Sequence, residues 1–223
     1  DNFNVTATQD SFLSVVLKTK SIGTDSDRAL LLDFQATLET KPEKAIKLEK
    51  DALAQIETIT VDNARLVSNL HANLGGLYRM NGHPDLAREH MEKSISLLDQ
   101  FNLLHINDSI PQIANYAMFL TEQQEPERGI SELQKLSGII KEYHSDHCLD
   151  YAKVQETLGT IYLMTANLPQ AKTHFKRAFK IYEKIWTDEP EMIEAKYQEI
   201  QELYPQVGFF LGQQLSDFLT KQT

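Results

Sequence analysis

A beat of 42 residues runs through this chain, and no other feature constrains its fold as strongly. Leu74-Gly75 followed by Tyr78 returns two periods later as Leu158-Gly159 followed by Tyr162. Midway lie Tyr116-Ala117 and Leu120, and one period earlier Leu32-Asp33 and Ala36. Small residues keep the same step at Ala45, Ala87, Gly129 and Ala171. So do Ala52, Ser94, Leu136 and Ala178. Pro42, Pro84 and Pro126 form a third series, each followed by an acid (Glu43, Asp85, Glu127), and the fourth proline shifts by one to Pro169. Independent series on one period describe a stacked array of like units.

Each series has a physical reason. Small side chains sit where two helices cross closely. Proline suits the first helical turn, where its missing N–H costs nothing, and the neighbouring acid meets the positive end of the helix dipole. Each unit therefore reads as helix, short turn, helix. The spacing predicts first helices over 25–39, 62–80, 109–122, 150–165 and 190–204. Second helices are expected over 42–58, 84–100, 126–142, 169–186 and 207–221. The stretch 1–24 reads as an N-terminal helix, half of a preceding unit, with Phe12, Leu13, Val16 and Leu17 apolar. Residues 25–205 hold four units and the first helix of a fifth, and 206–223 a terminal capping helix.

The pattern resembles the tetratricopeptide repeat. The fourth unit supplies Leu158, Gly159, Tyr162, Ala171, Phe175 and Ala178, and the second Leu74, Gly75, Tyr78, Gly82, Ala87 and Met91. Both lack the leading aromatic residue, with His71 and Gln155 in its place. The long period is similar to the kinesin light chain type, as is the linker His144-Ser145-Asp146-His147 before Tyr151-Ala152. Thr187-Asp188-Glu189-Pro190 resembles a further copy of it. The resemblance implies an all-α, right-handed superhelix of helical hairpins whose concave face, lined by the first helices, takes a peptide or protein segment.

That implied groove selects Asn69, Asn73, Gly76, Arg79 and Met80 in the second unit. It selects Asn115, Met118, Thr121 and Glu122 in the third, and Lys153, Glu156, Thr157, Thr160 and Met164 in the fourth. Asn73 and Asn115 lie one period apart, and such asparagines clamp peptide backbones in the family. A primary amide donates and accepts at once, as a peptide bond does. The ladder breaks at Leu31 and Thr157. Methionines at this face would adapt to apolar groups of a partner, although methionine at helical spacing is more often core.

Composition narrows the function classes. The net charge is -10, from 22 basic and 32 acidic residues, which leaves no basic footprint for nucleic acid and repels anionic membrane. A neutral or basic polypeptide is the expected partner. The single cysteine, Cys148, fits a reducing compartment such as the cytoplasm. No apolar stretch approaches membrane-spanning length. His144, His147 and Cys148 cluster, but their spacing matches no standard metal site, so neither metal nor cofactor is expected. No catalytic motif is present, and no enzyme activity is expected. Two readings remain: an interaction scaffold, part of a longer protein, or a regulatory sensor that changes superhelix conformation on binding a signalling peptide or small ligand.

Overall fold

The computed structural model describes residues 23–203 and 205. The expected helices over 1–24 and 206–223 lie outside them except for Gly23 and Thr24, which form a bend and the N-cap of the first described helix. Nine α-helices and no strand occur among the described residues. The chain divides between Leu103 and Leu104 into two compact units.

In the first unit α1 (Asp25–Leu38) pairs with α2 (Pro42–Leu53), and α3 (Ala64–Met80) with α4 (Pro84–Gln100). In the second, α5 (Ser109–Glu122) pairs with α6 (Pro126–Tyr143) and α7 (Leu149–Met164) with α8 (Leu168–Ile185). Then comes α9 (Pro190–Leu203). The prolines stand in the first turns of α2, α4, α6 and α8, as their spacing implies. One helix is shorter than expected. The period projected α2 to residue 58, but it ends at Leu53. β-Branched Thr58, Ile59, Thr60 and Val61 further on disfavour its resumption. Asn63 holds the bend instead: Thr60 N–H donates to its Oδ1 at 2.8 Å and its Nδ2 donates to Thr58 O at 2.9 Å.

The turns within hairpins repeat as closely as the helices. Gly82, Gln124 and Ala166 have φ of 75°, 65° and 59°. Directly after each, a backbone N–H reaches back over the helix end: His83 to Tyr78 O at 2.9 Å, Glu125 to Leu120 O at 2.8 Å, Asn167 to Tyr162 O at 2.7 Å. These are left-handed helix stops that satisfy otherwise orphaned carbonyls.

The small residues mark the crossings. Ala45, Ala52, Ala87, Ala171 and Ala178 are buried. A Cβ on Gly129 would come within 2.6 Å of Ala117 O, and one on Gly75 within 2.6 Å of Met91 Cγ. On Gly159 it would meet the Phe175 ring at 3.0 Å. Where the repeat's leading aromatic is missing, a polar stack replaces it. His90 lies on Tyr78 (centroids 5.4 Å apart) with its Nδ1 at 2.9 Å from His71 Nδ1. Two periods on, His174 lies on Tyr162 (5.2 Å) and its Nδ1 donates to Gln155 Oε1 at 2.9 Å. Burial pushes His71 and His174 down to about 4, so both rings are neutral at pH 7.

Candidate functional site

The face of each first helix turned away from its hairpin partner is where a ligand could reach. In the first unit that face belongs to α1 and α3. On α1 the buried residues Ala29, Leu32 and Ala36 fix one side to the core. Leu30, Phe34 and Leu38 recur on the opposite side and are 49%, 56% and 60% exposed. On α3 the same register positions carry Ala72, Gly76 and Met80. Gly76 borders open space, since a Cβ there would meet nothing within 4 Å. Met80 is 81% exposed.

Asn73 sits on this face with an exposed side chain. Its amide is engaged, however: Nδ2 donates to Asp33 Oδ1 at 2.8 Å and to Glu49 Oε1 at 3.1 Å, tying α3 to α1 and α2. Glu49 is buried, and burial together with the neighbouring Asp33 charge pushes it up to about 8. It is therefore largely protonated at neutral pH. Asn69 and Arg79 are half-buried and already in contact with other groups.

In the second unit Asn115 is exposed and Met118 half-buried. Thr121 and Thr157 turn their hydroxyls back to their own helices, donating to Ala117 O at 2.9 Å and Lys153 O at 3.0 Å. Met164 is 48% exposed. Thr160 corrects the sequence reading. It was expected on the open face and is only 7% exposed. Residues buried on α7 run right round the helix, from Tyr151 and Ala152 through Val154 and Gln155 to Ile161, because α7 packs against neighbours on several sides. Little of its surface is left open.

Glu156 faces inward too. Its carboxylate accepts from Tyr182 Oη at 2.7 Å and pairs with Lys196 Nζ at 2.9 Å, binding α7 to α8 and α9. Burial and the Glu156 charge push the Tyr182 phenol far up. Burial alone would lower Lys196, but Glu156 and Glu199 together raise it. Lys153 is exposed and borders a shallow cleft of about 320 Å³ walled by Tyr182, Trp186, Met192 and Lys196. The ring of Trp186 stacks on Tyr182 at 4.9 Å.

The linker cluster has structural work. Tyr151 N–H donates to Cys148 Sγ at 3.4 Å, capping α7, and Cys148 donates to Ser145 O at 3.1 Å. His144 Nε2 bonds His105 O at 2.9 Å, and His147 pairs with Asp146. Among the described residues no group of three His, Cys, Asp or Glu side chains is arranged to hold a metal ion. No described helix is long and apolar enough to cross a membrane.

Residues 109–184 match the family model described as Tetratricopeptide repeat. The chain carries tetratricopeptide repeats over that segment. Its fold is that of kinesin light chain-like repeat proteins. BtubC (BKLC) from P. vanneervenii superposes with a TM-score of 0.71 at 17% identity, covering 97% of this chain and 89% of that one. Two structures of nearly identical TPR-like repeats of a putative kinesin light chain from Podosopora anserina superpose with TM-scores of 0.67 and 0.64, at 13% and 14% identity. They cover 80% and 79% of this chain, and each is itself covered to 85%. None of the curated proteins compared matches the sequence.

Leu30, Phe34 and Leu38 escaped the sequence reading because the first unit has Leu31 where an asparagine was sought. Their register with Ala72, Gly76 and Met80 was present all along.

Proposed function

We propose that this protein is an interaction module that holds a segment of another polypeptide against the open faces of its first helices. Tetratricopeptide repeats generally mediate contacts between proteins. One observation carries the reading to this face. Leu38, Met80 and Met164 occupy a single register position in three different hairpins and are 60%, 81% and 48% exposed. The remaining hairpin carries Glu122 at that position, and large apolar side chains recurring at a solvent-facing position are characteristic of binding sites. Methionine there suits a partner of variable shape.

The reading gives the protein a binding role and no chemistry of its own. The partner is a neutral or basic segment, because the chain carries a net charge of -10. A reducing compartment such as the cytoplasm fits its lone thiol.

Selection of displayed peptides on the immobilised full chain tests this. Enriched peptides should bind the wild type and lose about tenfold or more in affinity to Met80→Glu or Met164→Glu, the loss expected when a contact residue is replaced by a charge. Selected peptides that bind both variants at wild-type strength would place the binding surface elsewhere.

A further inference from the structure

We infer that the α1 face of the first unit is a docking site for an amphipathic helix, one that presents apolar residues along one side and a basic residue at its flank. The inference rests on the interaction reading above and names the class of partner.

Leu30, Phe34 and Leu38 stand four residues apart on the side of α1 directly opposite its buried residues. They run along the helix axis for about 12 Å, roughly two turns. The adjoining wall, α3, is low where α1 is high: Ala72 and Gly76 share the register of Leu30 and Phe34, and the space over Gly76 is open. A tall apolar ridge beside a low wall is the form into which a further helix packs at ordinary interaxial distance.

The polar groups on this face separate a helical occupant from an extended one. An extended peptide needs donors and acceptors from the wall for its backbone. Asn73 is the amide placed to serve it, and both Nδ2 donor bonds go to Asp33 and Glu49. A helix satisfies its own backbone and asks the wall only for apolar contact.

The charge at the border selects a basic flank. Asp27 lies one turn before Leu30 on the same side of α1; its carboxylate accepts from the Thr24 N–H and hydroxyl at the helix start yet keeps its charge exposed, and Asp33 lies at the stripe's edge beside Asn73. The base on α1, Arg28, is already paired with Asp25. On the α3 wall, Arg79 is engaged with other groups.

Two synthetic peptides of identical composition test the proposal on the full chain. One places leucines at every third or fourth position with lysines beside them, and the other distributes the same residues around the helix. Fluorescence anisotropy should show the patterned peptide binding about tenfold or more tighter, and Phe34→Asp and Gly76→Gln should each remove about tenfold. Both substitutions are at open positions, and thermal melts verify that the variants fold. Equal binding of the two peptides overturns the proposal, as does wild-type affinity in both variants. Dimeric sedimentation of the wild type that Phe34→Asp abolishes would assign the stripe to a second copy and also overturn it. So would protection of a Phe34→Cys thiol from maleimide in the free chain, because the chain would then cover the stripe itself. Display-selected peptides that survive Phe34→Asp remove this stripe while leaving the broader reading standing. Failure to select any peptide removes both.

Discussion

At Asn73 the residue type announced one role and the structure gave another. The sequence shows a primary amide at a solvent-facing position, and the chemistry of peptide clamping follows from that alone. It does not show Asp33, 40 residues away, or Glu49, 24 residues away, which take both donor bonds. Glu49 gives this arrangement a measurable signature. An unfolded glutamate ionises near 4.5 and the folded one near 8. The unfolded chain therefore sheds this proton first, and wild-type stability falls as pH rises through that window. Glu49→Gln, which copies the neutral acid, should remove a loss of about 2 kcal/mol, read as the difference between variant and wild-type unfolding free energies from pH 6.5 to 8.5. The histidines act at lower pH and in the opposite sense. His71 and His174 are held near 4 in the fold against 6.5 when free. Between those values the unfolded chain binds protons that the folded one refuses, so stability falls as pH drops from 6.5 to 4. After allowance for their partial exposure the pair should contribute roughly 2 kcal/mol of that loss. Melts of the His71→Gln and His174→Gln double variant should show a flatter slope in that window, and an unchanged slope would mean the rings titrate normally.

At the scale of elements the sequence was most legible, because helix pairs are written locally. Prolines, small residues and apolar series together placed the first helices and most of the second within a residue or two. What it concealed depends on neighbours. Thr160 looks open on a single helix and is buried because α7 is packed on several sides. The early end of α2 at Leu53 is not marked by the period, and the β-branched run from Thr58 only disfavours its resumption. Crossing and turn predict opposite responses to substitution. Gly159→Leu drives side-chain atoms into Phe175, whose ring is already 3.0 Å from where a Cβ would stand. A loss of about 1–3 kcal/mol is expected from overpacking. Ala166→Gly relieves a left-handed alanine at φ 59° in the turn between α7 and α8 and should stabilise by about 0.5–1 kcal/mol. Urea denaturation of the two variants checks both, and a stabilised Gly159→Leu would contradict the register.

For the whole molecule the governing quantity is charge. Twenty-two bases against 32 acids leave -10 spread over 223 residues, and a field of that sign reaches beyond any single contact. On the proposed reading, the apolar side chains at the first-helix faces act only once a partner has arrived. The two effects separate in kinetics. Long-range attraction accelerates encounter and is screened within about 8 Å at physiological salt. Apolar contact governs how long the complex lasts and responds little to salt. For a basic peptide bound by the full chain, raising ionic strength from about 0.05 to 0.5 M should therefore slow association by about tenfold or more. Dissociation should change by less than about twofold over the same range. Stopped-flow association and displacement measurements give the two rates independently. A salt effect confined to dissociation would mean that ion pairs hold the complex together, and the exposed leucine, phenylalanine and methionine side chains would lose their role as its anchors.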